Sequence, residues 1–229
     1  MTSRRENRIP ARLRSIGLGV AGLLAVAALA TAAWYLARER VDSRPSLASY
    51  EGTKLGDAAP GFRLVDQKGA TKSLEDFRGK VLVLTLLDPI CTDICPIYAY
   101  HYRLAHQALG PDAAKVAFLA FNANDEKTSV EDMMAATKKW GVDEIPAWHF
   151  LTGSVDELHA VWKAYAMMAS GPPKHDRHGE KQHSPSIYII DQAGQRRWFF
   201  STNFDDAPAP STLIVKHVRE LLAEERRGK

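Results

Sequence analysis

The chain has 229 residues, 45% of them hydrophobic, which is enough for one substantial core and an expectation of one globular domain. Its net charge of +3, counted with eight neutral histidines, is too small and too dispersed for a nucleic-acid surface, and no basic stripe interleaved with aromatics follows Arg44. Two cysteines exclude a disulfide framework of the small secreted type.

Residues 1–15 form a basic leader, with Arg4, Arg5, Arg8, Arg12 and Arg14 against the single acid Glu6. Residues 16–36 carry no charge and match the roughly 20 residues that a spanning helix needs. A single transmembrane helix is predicted there, with Trp34 and Tyr35 at the interfacial belt. The arginine asymmetry keeps the leader cytoplasmic and places everything after Arg38 across an inner membrane, in the periplasm or an equivalent extracytoplasmic space. A cleaved signal peptide is the competing reading, because Ala28-Leu29-Ala30 offers small residues in the right arrangement; the apolar run continues past that point, which favours a retained anchor. Arg4-Arg5 is followed by Glu6 and Asn7, so it makes a poor twin-arginine signal.

Residues 37–54 mix charge, Ser and Pro without periodicity and read as a linker, so the domain is expected over residues 55–229. Phe62 to Val65 and Thr71 to Leu74, around Gly69, predict a β-hairpin. Lys80 to Leu87 is a continuous apolar run suited to a strand buried on both faces, and it leads straight to Cys91. A helix follows Pro96 and closes at Gly110-Pro111; Val116 to Phe121 is the next buried strand. Ser129 opens a helix through Trp140 that Gly141 stops, Ala147 to Leu151 is a short strand, and Ser154 caps a helix over Val155 to Met168 that Gly171-Pro172-Pro173 ends. Lys174 to Gln182 is a polar loop. Ser186 to Asp191 and Arg197 to Phe200 flank Ala193-Gly194 as a second hairpin, and Leu213 to Glu224 is a terminal amphipathic helix. Strands alternating with helices predict an α/β fold, a central sheet flanked by helices, with chemistry at the carboxyl ends of the strands.

The stretch Asp88-Pro89-Ile90-Cys91-Thr92-Asp93-Ile94-Cys95-Pro96 holds both cysteines, three residues apart. With Cys95 in the first turn of a helix, both sulfurs lie on one side. Such a pair can close a disulfide, hold one soft metal ion, or consist of two unrelated buried residues. Packing alone is a poor reason for a chain of this size to place its only two cysteines so close together.

Gly56-Asp57-Ala58-Ala59-Pro60-Gly61-Phe62 and Ser73 to Leu84 resemble the opening of extracytoplasmic thioredoxin-like proteins. Cys91-Thr92-Asp93-Ile94-Cys95-Pro96, with His183 ahead of Ser186-Ile187-Tyr188-Ile189-Ile190-Asp191, more narrowly resembles the Sco/SenC copper chaperones of cytochrome c oxidase assembly. The resemblance runs from about Leu55 to the C-terminus and implies a thioredoxin-like fold with an N-terminal β-hairpin behind a membrane anchor. It also implies one copper ion, Cu(I) or Cu(II), per chain, held by Cys91, Cys95 and His183. The partners it implies are the copper-bearing subunit of cytochrome c oxidase, other copper chaperones or thiol reductases, and the membrane itself; the role is that of a metallochaperone rather than an enzyme. Two departures stand out. Thr92 replaces the proline usual after the first cysteine, and Ser184-Pro185, expected to be cis, stands where thiol reductases of the thioredoxin type carry their cis-proline. The alternative is therefore a thiol:disulfide oxidoreductase that keeps target cysteines reduced, with Cys91 and Cys95 as its redox pair.

Two thiolates and one imidazole make a soft site that suits Cu(I) and admits Cu(II). A helix N-terminus beside the pair is expected to lower both thiol pKa values, and Asp93 is expected to sit ionised between the cysteines and to discourage close approach of the thiolates. His183 separates the readings, since dithiol exchange needs no distant imidazole. His175 and His178 are expected to be solvated loop residues, His101 and His106 to be exposed on the helix, and Met133-Met134 and Met167-Met168 to pack in the core rather than bind copper.

Overall fold

The computed structural model describes residues 25–36, 50–167, 186–201 and 208–228. Residues 25–36 are helical and exposed throughout; we label this segment α1. Among the described residues no helix is long and apolar enough to cross a membrane. The basic leader and residues 16–24 of the expected span lie outside the described residues.

The chain divides into two compact units; α1 belongs to the first, and the second contains β1 (Thr53–Lys54), β2 (Arg63–Val65), β3 (Thr71–Ser73), β4 (Val81–Leu87), α2 (Ile94–Leu109), β5 (Val116–Asn122), α3 (Val130–Lys139), β6 (Trp148–Leu151), α4 (Val155–Tyr165), β7 (Ile187–Ile190), β8 (Arg196–Phe200) and α5 (Pro210–Arg227). Six strands form a mixed sheet in the order β1-β8-β7-β4-β5-β6, and β2-β3 is a separate hairpin. β4, β5 and β6 run parallel, while β7 runs antiparallel to β4 with Ile187 opposite Thr85. All seven residues of β4 and of β5 are buried, as continuous apolar runs require in a sheet covered on both sides. Alternation then splits the core. Val81, Val83 and Leu87 pack with α2, α3 and α5, while Leu82, Leu84 and Leu86 pack with α4 and the β2-β3 hairpin. This is the α/β architecture expected from the alternation of elements.

Local chemistry sets the helix ends. Ser129 accepts from the Asp132 N–H and Ser154 from the Glu157 N–H, with Glu157 returning a capping box to Ser154. α4 ends at Tyr165, short of the expected Met168, because its cap Ala166 takes a left-handed conformation at φ 51°. Met168 and the Gly171-Pro172-Pro173 stop fall outside the described residues, as do most of the 37–54 linker and the Lys174 to Gln182 loop.

The linker expectation is corrected at its end. Thr53 and Lys54 pair with Phe199 and Trp198 as an edge strand rather than continuing a linker. Gly52, at φ +90°, sits so close to Phe199 O that a Cβ there would approach it to 2.9 Å. Buried His217 on α5 stacks on Trp198 at 3.9 Å between ring centres and bonds the Glu51 carbonyl at 2.8 Å. These contacts tie residues 51–54 to the sheet, and none of them involves an apolar pattern within that segment.

At the opposite edge, the buried Gln67 side chain acts as a surrogate strand for β6. Its Nε2 donates to Trp148 O at 3.0 Å and its Oε1 accepts from the Phe150 N–H at 2.9 Å. Each such backbone group left buried and unmatched costs about 1–3 kcal/mol. Beside it, Asp66 accepts from the Lys68 and Ala70 N–H groups and meets His149 Nδ1 at 3.1 Å.

Burial works against the Asp66 charge, but the Ala70 and Lys68 N–H groups and His149 outweigh it and hold the carboxyl below its usual range. Burial pushes His149 down in spite of Asp66, so their contact at neutral pH is a hydrogen bond to a neutral ring. A lowered imidazole contributes its stability fully above the ordinary value of 6.5 and loses it as pH falls towards the folded value; lowered Asp66 acts in the same sense further down. His149→Gln is therefore expected to flatten the loss of stability below pH 6.5. Urea unfolding across a pH series checks this, and a slope equal to the parent's would refute it.

Candidate metal centre

β4 ends at Leu87, and the next four residues carry the chain to Cys91 at the carboxyl end of the sheet. A turn closes there, with the Cys91 N–H donating to Asp88 O at 3.1 Å. α2 then begins at Ile94, with Asp93 as N-cap accepting from the Ile94 N–H. Cys95 thus stands in the first turn, as expected, and Pro96 is tolerated because an N–H there has no helical acceptor. The Cys95 N–H points at Cys91 Sγ at 3.4 Å, and the Asp88 N–H points at Cys95 Sγ at 3.4 Å. Neither cysteine is in a disulfide, both are buried, and both belong to the α2 face of the core.

Two expectations about this loop are corrected. Burial pushes the Cys95 thiol well up, and contact with Cys91 adds to the rise. At this depth desolvation overrides the helix N-terminus, so Cys95 rests as a thiol. Asp93 does not hold the sulfurs apart; it caps the helix, and its Oδ1 accepts from the Cys91 thiol at 3.1 Å.

Under the loop lies a buried polar ladder that hydrophobic patterning did not reveal. Asp88 is fully buried, with its Oδ1 accepting from the Ile90 N–H at 3.1 Å and both carboxylate oxygens facing Asn124 Nδ2 at 3.1 and 3.2 Å. Asn122, the last residue of β5, accepts from the Asn124 N–H and donates to Asn124 O and Lys127 O. The signal available in the sequence was polar residues at the buried strand ends, Asp88 directly after β4 and Asn122 and Asn124 at and beyond the last position of β5.

The structure brings Cys91 and Cys95 together. His183, His175, His178 and Pro185 lie outside the described residues. Among the described residues no group of three or more His, Cys, Asp or Glu side chains could hold a metal ion, so the described part of the site is a two-sulfur donor set. Met133 and Met167 are buried core residues, as expected, and Met168 lies outside the described residues. His101 and His106 are half-buried rather than exposed. His101 Nδ1 meets Ser211 Oγ at 3.2 Å and joins α2 to α5, while His106 packs edge-on to Phe118.

The fold and loop define a mixed-sheet α/β protein with a dithiol at the carboxyl end of a central strand. The SCO1/SenC family model matches residues 51–221, and the chain belongs to that family. It is 29% identical over 140 residues to the mitochondrial SCO2 homolog of Bos taurus, covering 58% of this chain and half the length of that relative. The crystal structure of yeast Sco1 with copper bound is similar at 25% identity and a TM-score of 0.58, over 76% of this chain and 94% of the yeast one. A structure of BsSco, a member of the Sco family of cytochrome c oxidase assembly proteins in which a disulfide switch was identified, shares the fold at 21% identity and a TM-score of 0.58, over 75% of this chain and 97% of the other.

Proposed function

We propose that this protein is a membrane-anchored, thioredoxin-like copper chaperone. Its globular part, residues 55–229 with the edge strand β1, stands outside the cytoplasm behind a 16–36 anchor and delivers copper to, or prepares, the copper site of a cytochrome c oxidase. Cys91, Cys95 and His183 are its ligands, holding one copper per chain as cargo. The observation that carries this reading is the pair of adjacent, buried cysteines, not joined by a disulfide, at the start of α2 in a chain of the SCO1/SenC family.

The donor set fits the cargo. Burial penalises a bare thiolate, and a soft monovalent cation between two sulfurs offsets that penalty while keeping the site low-coordinate. Chain connectivity supports His183 as third ligand. Ile187 pairs with Thr85 on the last turns of β4, and Thr85 Oγ1 donates to Ser186 O at 2.7 Å, so β7 starts beside the strand end that leads to the cysteines. Three residues of chain keep His183 within about 10 Å of Ser186.

The second reading, a thiol:disulfide oxidoreductase, is favoured by the same two adjacent cysteines and by the disulfide switch of BsSco. Metal analysis of the reduced full-length chain separates the two. Tightly held copper at one per chain is expected; absence of copper together with a reducible Cys91–Cys95 disulfide would refute the chaperone and leave the oxidoreductase.

A further inference from the structure

Asp88 touches both cysteines through its backbone and nothing in the copper reading uses its side chain. Its carbonyl accepts from the Cys91 N–H at 3.1 Å, and its own N–H donates to Cys95 Sγ at 3.4 Å. A small rotation of this one residue therefore moves both sulfurs. The side chain prevents that rotation, since Oδ1 accepts from Ile90 N–H and both oxygens meet Asn124 Nδ2.

Asn124 is itself fixed. Its Oδ1 accepts from the Glu126 and Lys127 N–H groups at 2.9 and 3.1 Å, which forces its amide hydrogens towards Asp88. The pair is a strut between the ends of the parallel neighbours β4 and β5, whose next register step is the Ala123 N–H to Leu87 O bond at 2.8 Å. Packing alone does not call for a carboxylate here. Asn fills nearly the same volume and avoids the cost of burying a charge.

We propose that Asp88, oriented by Asn124, is the positioning residue of the dithiol: it fixes the direction of both sulfurs and places a buried negative charge beside the metal's position. The inference rests on the copper reading for its second half only. A fixed negative charge stabilises Cu(II) more than Cu(I), so it lowers the potential of the bound couple.

The test uses the full-length chain with Asp88→Asn, Asn124→Asp and the double swap Asp88→Asn/Asn124→Asp. In the first variant two amides share too few acceptors; in the second two carboxylates face each other; the swap restores one donor and one acceptor across the gap. Two readouts apply: the iodoacetamide alkylation rate of the reduced, metal-free cysteines, and the affinity and reduction potential of added copper. Each single variant is expected to alkylate faster, and Asp88→Asn, which removes the charge, to lose about 10- to 100-fold in Cu(II) affinity with a raised potential; the swap is expected to return both readouts towards the parent. A folded Asp88→Asn with the parent's alkylation rate and potential would overturn the proposal, as would a folded swap no better than the singles. If Asp88→Asn does not fold, Asn124→Ser removes the strut and keeps Asp88, and parent-like alkylation there overturns the proposal equally. A parent chain that binds no copper would sink the copper reading, while the alkylation arm still decides the positioning role.

Discussion

Cys91→Ser or Cys95→Ser is expected to abolish tight Cu(I) binding, the largest change any single substitution should produce in this protein's proposed activity. A hard hydroxyl is a poor donor to a soft cation, and neither remaining cysteine can hold Cu(I) alone against a competing chelator. His183→Ala should act differently. Two thiolates still bind Cu(I) almost linearly, whereas Cu(II) needs further nitrogen or oxygen donors, so Cu(II) affinity should fall more than Cu(I) affinity. His175→Ala and His178→Ala should leave both affinities near the parent's. Separate titrations with Cu(I) under a chelator and with Cu(II) read out the series. Unchanged Cu(II) binding in His183→Ala would remove that residue from the site, and a pure thiol reductase would show weak copper binding throughout with disulfide exchange intact in His183→Ala.

The parts of the fold that follow from periodicity were legible. β4 and β5 are fully buried, mostly apolar runs, Ser129 and Ser154 are N-caps with acids in the next turn, and the β7-β8 turn carries Gly194 with φ +79°. β1 was not legible because only two residues pair, and the forces that place them come from Trp198 and His217, far along the chain. On α2 the stripe that is buried runs through Cys95, Tyr98, Ala99, Tyr102, Ala105 and Leu109, while Ile97 is 42% exposed although it is more apolar than either tyrosine. Hydropathy alone would bury Ile97 first; the position of β4 and α5 selects otherwise.

The site divides in the same way. The three-residue spacing predicted two sulfurs on one side, and the cap geometry delivers them. What spacing does not carry is depth. The helix N-terminus argues for easily ionised thiols, but Cys95 has no exposed surface, and desolvation over that depth exceeds what one helix end supplies. The Asp88–Asn124 strut was hidden for another reason, because its two halves lie in the loops after different strands and meet only through the β4-β5 register.

A reporter fused after Lys229 is expected to be active only outside the cytoplasm, an all-or-none outcome that decides which redox environment the cysteines meet. The argument rests on the leader, where Arg4, Arg5, Arg8, Arg12 and Arg14 face the single acid Glu6 ahead of the uncharged 16–36 segment. Basic residues within about 15–20 positions of a span resist translocation, so the leader is expected to stay inside and a spanning 16–36 segment to send the rest outward. On the far side, thiols are prone to oxidation to a disulfide, and a buried Cys95 that rests as a thiol then competes between disulfide formation and copper capture. Replacing all five arginines by Glu should reduce the outward fraction, because the remaining bias no longer favours the leader staying inside. An alkaline phosphatase fusion reports the outer location and a green fluorescent fusion the inner one. Activity of the inner reporter alone in the parent chain would overturn the proposed location and, with it, the oxidase subunit as recipient of the copper.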